Sequence, residues 1–71
     1  MHPLKEYRLD RGLTQAALAQ LVGTKKGTVS KWEQGTVPSL KFMRRIAEVT
    51  DGAVTANDFY DAALERQEAV G

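Results

Sequence analysis

The stretch from residue 15 to residue 34 restricts the fold most, because Gly23 separates two consecutive helical patterns there. Gln15–Val22 and Lys25–Gln34 each carry apolar residues at the spacing of one helix face. Gly23 can adopt the positive φ that ends one helix and redirects the chain, and Ala19 is small enough for the two helices to pass closely. The apolar residues of this unit are Leu18, Leu21, Val22, Val29 and Trp32. The pattern therefore predicts two short helices that cross steeply through a tight turn.

Helical patterns flank this unit on both sides. Pro3 suits the first turn of a helix that ends at Gly12, and Thr14 is a good N-cap for the helix that follows. Pro38 and Ser39 mark the start of a fourth helix. The predicted inward face of that helix consists of Leu40, Met43, Ile46 and Ala47.

The last helix is predicted to begin at a capping box formed by Thr55 and Asp58, after a connection closed by Gly52. No alternating β pattern of useful length occurs, although residues 52–55 could be locally extended. We therefore expect an all-α fold, a compact bundle of about five short helices. Residues 1–64 are assigned to one domain, and residues 65–71 are expected to form a frayed C-terminal tail.

Length and composition exclude several classes of protein. A chain of 71 residues forms one small domain and leaves no room for a catalytic domain beside it. The absence of cysteine excludes disulfides and thiolate metal sites. No apolar run approaches membrane-spanning length, and the N-terminus lacks the apolar stretch of a signal peptide. We expect a cytoplasmic protein with no cofactor, no metal and no membrane association.

The charges are distributed unevenly along the chain. Residues 1–47 carry nine Lys and Arg against three acids, whereas residues 48–71 carry one Arg against six acids. The formal charge of +1 therefore conceals a basic part and an acidic part of nearly equal strength. The basic part is suited to a polyanion, and the acidic part would be repelled by it and should point away.

Several residues at fixed offsets match the pattern of a known family. They are Leu13, Thr14, Gln15, Leu18, Ala19, Gly23, the run 28–33 and Gly35. Over residues 4–60 the chain resembles the phage repressor/Cro (XRE-like) helix-turn-helix family, and it is most similar to small prophage Cro-like regulators. Ala17 and Thr24 depart from the family pattern, which commonly has a glutamate and a more apolar turn residue at these positions. The resemblance implies a lambda-repressor-like DNA-binding domain from the cytoplasm of a bacterium or a phage-infected cell.

The resemblance also implies how double-stranded DNA would be read. The recognition helix, predicted over residues 25–34, would lie in the major groove with its N-terminal residues at the base edges. The predicted base-contacting residues are Lys25, Lys26, Gly27, Thr28 and Lys31. Gly27 stands where family members often have a base-reading side chain, so it either admits a close backbone approach or lowers the specificity.

Contacts with the DNA backbone are expected at helix ends. The predicted phosphate-contacting residues are Gln15, Thr36, Ser39 and Lys41. Ser39 is also expected to act as an N-cap, and Arg44 and Arg45 are left open between a DNA contact and a position that only faces solvent. In the family, the positions of Arg8 and Glu33 form a partly buried ion pair that joins the first helix to the recognition helix.

Enzymatic activity is not expected from this sequence. The only histidine, His2, lies in a terminus expected to be mobile, and the acids are scattered over helix surfaces without a nucleophile and base. Aromatic side chains can stack on single-stranded bases, but the spacing of Tyr7 and Trp32 favours the core. Phe59 is predicted to be buried, whereas Tyr60 and Leu64 are predicted to be exposed.

Members of such a family usually bind pseudo-palindromic sites as two-fold dimers, so we expect a homodimer at least on DNA. The segment 52–55 and the last helix are candidates for the interface, with Val54, Tyr60 and Leu64 as apolar contacts. Two alternatives remain open. The chain could be an antitoxin-type autoregulator or a protein-interaction adaptor of the same fold, with a toxin or an antirepressor as a possible protein partner.

Overall fold

The computed structural model describes the backbone of residues 2–70 and the side chains of residues 2–64. Within that range the chain forms five helices and no strand, which confirms the all-α prediction. The helices are α1 (Pro3–Asp10), α2 (Gln15–Val22), α3 (Lys26–Glu33), α4 (Leu40–Val49) and α5 (Ala56–Val70). The predicted third helix is one residue shorter at each end, because Lys25 is its N-cap and Gln34 its C-cap.

The turn between α2 and α3 follows from two local features. Thr14 caps α2, with its Oγ1 accepting a hydrogen bond of 3.0 Å from the Ala17 N–H. At the other end Gly23 has a backbone φ of 91°, which residues with a Cβ rarely adopt. The N–H groups of Gly23 and Thr24 both donate to the Ala19 carbonyl, at 2.8 and 2.9 Å. The turn is thereby closed by backbone bonds, and the predicted roles of Thr14 and Gly23 are confirmed.

One hydrophobic cluster lies between the helices and includes residues from all five. Its buried members are Leu4, Leu18, Ala19, Val22, Val29, Trp32, Met43, Ile46, Val54 and Phe59. Tyr7, Leu13, Phe42, Val49 and Ala56 pack against it in part. The predicted core positions of Trp32 and Phe59 are confirmed.

The prediction of an inward-facing Leu40 is wrong, since 74% of this residue is exposed. The buried face of α4 instead runs through Phe42, Met43 and Ile46. These positions lie on one side of a helix, and Leu40 lies about 120° around the axis from their centre. Leu21 is half exposed for the same geometric reason, because Leu18, Ala19 and Val22 define the inward side of α2.

Val54 was expected at a dimer interface, and this expectation is wrong because the residue is 1% exposed and belongs to the core. It is held there by the buried hydroxyl of Thr50, which accepts from the Val54 N–H at 3.1 Å and donates to the Ile46 carbonyl at 2.7 Å. The segment 52–55 adopts bends and a turn rather than an extended strand. Asp58 then accepts from the Thr55 N–H at 2.8 Å, which is one half of the predicted capping box.

The expectation that His2 lies in a mobile terminus is also wrong. Its Nδ1 accepts a hydrogen bond of 3.0 Å from the Leu4 N–H, so the imidazole is the N-cap of α1. The ring also packs at 5.1 Å from the ring of Phe59 on α5. His2 therefore connects the first helix to the last. Its partner Phe59 is 57 positions away, so no local sequence pattern could indicate this contact.

The end of the chain continues as helix through Val70. The side chains of residues 65–70 and the whole of residue 71 lie outside the part of the chain that the structure describes. The expected fraying of residues 65–71 therefore stays a prediction. Across the described part of the chain, no helix has the length and apolar character needed to cross a bilayer.

Candidate nucleic-acid interface

The outer face of α3 is defined by the two residues that the helix buries. Val29 and Trp32 point into the core, so the opposite side of the helix faces solvent. Gly27 and Lys31 lie on that side one turn apart, and Lys25 and Lys26 are exposed at its start. Thr28 is half-buried at the edge of this face. The packing of α3 therefore presents all five predicted base-contacting residues at least partly to solvent.

The lysines of α3 are not neutralised by neighbouring carboxylates. Among the described side chains, the salt bridges join Arg8 to Glu33 and Arg45 to Glu48, and neither involves a lysine. Lys25 occupies the N-cap position without making a side-chain hydrogen bond to the helix. The outer face of α3 is therefore a cationic surface whose charges are directed at solvent.

Gly27 leaves an open space in the middle of this surface. A Cβ built on this residue would meet no heavy atom within 4 Å outside its own helical neighbourhood. Its φ lies outside the positive range, so neither the fold nor the backbone conformation requires a glycine here. The folded chain therefore has room for a side chain at this position.

Behind the outer face of α3, a buried ion pair connects α3 to α1. Arg8 Nε donates to Glu33 Oε2 at 2.8 Å, and Arg8 Nη2 donates to Glu33 Oε1 at 3.2 Å. The side chains of Arg8 and Glu33 are only 10% and 5% exposed. The hydrogen bond to Glu33 raises the pKa of the Arg8 guanidinium above its ordinary value. This bidentate pair occupies the positions that the family resemblance implied.

The network has two further members that the sequence did not reveal. Arg8 Nη1 donates to the Leu13 carbonyl at 3.0 Å, in the turn that leads into α2. Gln15 Nε2 donates to Glu33 Oε1 at 3.1 Å. Gln15, predicted as a phosphate contact, thus also contacts the end of α3. The Gln15–Glu33 contact joins residues that are 18 positions apart, so no local spacing could have indicated it.

The segment between α3 and α4 brings the other predicted phosphate-contacting residues to the surface. Thr36, Ser39 and Lys41 are all exposed. The Thr36 N–H donates to the Lys31 carbonyl at 3.0 Å, so the segment begins directly against the end of α3. Ser39 occupies the N-cap position of α4, but its hydroxyl makes no capping hydrogen bond, contrary to the expected capping role. The ammonium of Lys41 lies 5.7 Å from the centre of the Phe42 ring.

Arg45 makes contacts within the fold that neither of the two alternatives for this residue included. Its Nε donates to the Val22 carbonyl at 3.3 Å and its Nη2 to the Leu21 carbonyl at 3.4 Å. Both carbonyls lie in the last turn of α2, where they have no acceptor role within the helix. Arg45 also lies 3.7 Å from Glu48. It therefore caps the C-terminal end of α2 from α4.

The comparisons agree with this geometry. A helix-turn-helix family model matches residues 4–55, which include α1 except for its first residue and all of α2, α3 and α4. No curated protein and no solved structure matches the chain.

Among the described residues, no group of three or more His, Cys, Asp and Glu side chains is arranged to hold a metal ion. The chain belongs to the XRE-like, Cro/repressor-type helix-turn-helix family, whose members are DNA-binding regulators.

Proposed function

We propose that the protein is a sequence-specific regulator of transcription, a Cro-like repressor that binds pseudo-palindromic operators in double-stranded DNA as a homodimer. The observation that carries this proposal is the cationic outer face of α3, whose lysines have no carboxylate partner among the described residues. A module that used this fold only to bind another protein would have less need of such a face. This observation therefore favours DNA binding over the adaptor alternative.

In the proposed complex α3 is the recognition helix and lies in the major groove. Lys26 and Lys31 donate to O6 and N7 of guanine, and the methyl group of Thr28 packs on the methyl group of thymine. Lys25, at the start of the helix, divides its contacts between bases and phosphate. Gly27 contributes no side chain, so the backbone can approach the bases closely at this point.

Phosphate contacts on both sides of the recognition helix would set its position in the groove. Gln15 contributes an amide N–H at the start of α2, while Thr36 and Ser39 contribute hydroxyl groups before α4. Lys41 contributes a positive charge, and each charged contact of this kind releases counterions from the DNA. The exposed acids Glu48, Asp51 and Asp61 belong to the opposite end of the chain and would face away from the duplex.

The proposed dimer uses the outer face of α5. Tyr60 and Leu64 lie one helical turn apart and are 51% and 57% exposed, so they form a small apolar surface. A two-fold dimer would place two copies of α3 in successive major grooves, about 34–36 Å apart. The operator should accordingly contain two half-sites with inverted symmetry.

Selection of bound sites from a pool of random duplex DNA would test the proposal. The expected result is an enriched motif with two inverted half-sites whose centres are about one helical turn apart. Enrichment of a single half-site would contradict the dimer but not the sequence-specific regulator. Recovery of no motif at moderate salt would contradict sequence-specific binding, and the interaction-module alternatives would then be preferred.

A further inference from the structure

We infer that Glu33 is a positioning residue for DNA binding, which holds the Gln15 amide in place and thereby couples the phosphate contact at α2 to the recognition helix. The inference rests on the proposed DNA-binding function and assigns Glu33 a task in it beyond joining α1 to α3. It starts from a contact that lies outside the Arg8–Glu33 ion pair, the hydrogen bond from Gln15 Nε2 to Glu33 Oε1 at 3.1 Å.

Glu33 is held firmly enough to orient a neighbouring side chain. Its two carboxylate oxygens accept from Arg8 at 2.8 and 3.2 Å, and its side chain is 5% exposed. Gln15 is only half-buried, so its amide lies at the boundary between this network and solvent. A primary amide has two N–H donors. One of them donates to Glu33, and the other remains available for a phosphate oxygen.

Arg8 makes it possible to place a carboxylate behind a phosphate contact. An unpaired glutamate at this position would repel the phosphate, but the Arg8 guanidinium neutralises its charge at hydrogen-bond distance. Arg8 also donates to the Leu13 carbonyl, directly before the Thr14 cap of α2. The network therefore fixes the start of α2 through its backbone and the Gln15 side chain through its amide, both relative to the last residue of α3.

The consequence is an energetic coupling between Gln15 and Glu33. A glutamine side chain that is already oriented loses less rotamer freedom when it binds phosphate. In Glu33→Gln an NH2 group replaces one of the two carboxylate oxygens that accept hydrogen bonds from Arg8 and Gln15. A single amide oxygen cannot replace both acceptors in their positions, so Gln15 loses its fixed orientation. Gln15→Met keeps the size of the side chain and removes its hydrogen-bond donors. If the inference is correct, either change removes the same contribution to DNA binding.

A double-mutant cycle tests this expectation, with dissociation constants measured on the selected operator under conditions where each variant is folded. Gln15→Met and Glu33→Gln should each weaken binding by about fivefold, and the double variant should be about as weak as either single variant. Lys41→Met is the matched control, because Lys41 is also a predicted phosphate contact but has no contact with Glu33. The fold-changes in the dissociation constant for Lys41→Met and Glu33→Gln should multiply in the double variant. Among the three single variants, only Lys41→Met should reduce the slope of log affinity against log salt concentration, by about one.

The wild-type protein provides a second measurement if Glu33→Gln does not fold. In an NMR titration with the operator duplex, the Gln15 side-chain amide and the Arg8 Nε–H should shift together. The Arg45 Nε–H, which donates at the opposite end of α2, should shift much less.

Multiplying effects of Gln15→Met and Glu33→Gln would overturn the inference, as would a Gln15 amide that does not respond to the duplex. If the unmodified protein binds no duplex at all, the proposed function itself is wrong.

Discussion

At the scale of single residues, Glu33 shows how much one side chain can connect in a small domain. It accepts hydrogen bonds from Arg8 on α1 and Gln15 on α2 while it belongs to α3. A buried ion pair of this kind is weak evidence for net stability, because both charges lose their hydration. Removing one partner is a different matter, since the other charge is then buried without compensation.

Arg8→Ala should therefore lower the free energy of unfolding by about 3–5 kcal/mol. Lys26→Ala is the control, and its effect should stay within about 0.5 kcal/mol because Lys26 is an exposed residue without a salt bridge. Thermal unfolding followed by circular dichroism measures both. An unchanged melting temperature in Arg8→Ala would contradict the structural importance of the pair.

Residues that contact bases and residues that contact phosphate should differ in how they affect DNA binding. Lys31→Ala should relax the preference at one base position, with a loss of discrimination of about 1–3 kcal/mol. Thr36→Ala should weaken binding to all sequences about equally, because a phosphate contact carries no direct sequence information. Affinities for the operator and for single-base variants of it distinguish the two patterns. A uniform loss in Lys31→Ala would remove this residue from the base-contacting set.

At the scale of elements, the local sequence rules for helix caps, glycines and apolar positions hold in some helices and have exceptions in others. The α2–α3 unit has a Thr cap, a glycine at positive φ and an inward stripe that agree with one another. In α3 and α4, single positions depart from the local rule. Gly27 is a poor helix former in an open space, and Leu40 is an apolar residue on the surface.

Gly27→Ala should raise the free energy of unfolding by about 0.5–1 kcal/mol, because alanine favours the helix and its Cβ meets open space. Chemical denaturation measures the change, and Gly23→Ala is the control. That variant should lose stability, because Gly23 has φ of 91°. A loss of stability in Gly27→Ala would show that the folded protein does need glycine at this position.

Within α4, the two apolar residues Leu40 and Ile46 should respond very differently to truncation. Ile46→Ala should destabilise the protein by about 2–5 kcal/mol, because Ile46 is fully buried in the core. Leu40→Ala should change the free energy of unfolding by no more than about 0.5 kcal/mol. Equal losses in a urea titration would show that Leu40 is buried in solution, for example between subunits.

At the scale of the whole molecule, His2 joins the two ends of the fold. Burial lowers the pKa of His2 below its ordinary value, although the carboxylates of Glu33 and Asp58 oppose this in part. The cap on α1 requires an unprotonated Nδ1 that accepts from the Leu4 N–H. The folded protein therefore binds a proton at His2 less readily than the unfolded chain does.

This difference predicts how stability depends on pH. The contribution of His2 should be complete above about pH 6.5, the ordinary pKa, and should be lost as the pH falls toward the lower pKa of the folded state. His2→Asn keeps a capping oxygen but does not titrate in this range. The difference in melting temperature between wild type and His2→Asn should be smaller at pH 5 than at pH 8, because acidification lowers the melting temperature of wild type more. Parallel pH profiles would contradict this role of His2.

The amino-acid sequence was enough to predict the helices, the turn between α2 and α3, the family and the residues that face outward on α3. These features depend on caps, glycine conformation and periodicity, which act within a few residues. The burial of particular apolar residues on α2 and α4 became clear only from the folded chain. The same holds for the contacts of His2 and Arg45 and for the hydrogen bond from Gln15 to Glu33. Such contacts join residues far apart in the chain, and their existence depends on helix crossing angles that no local pattern specifies.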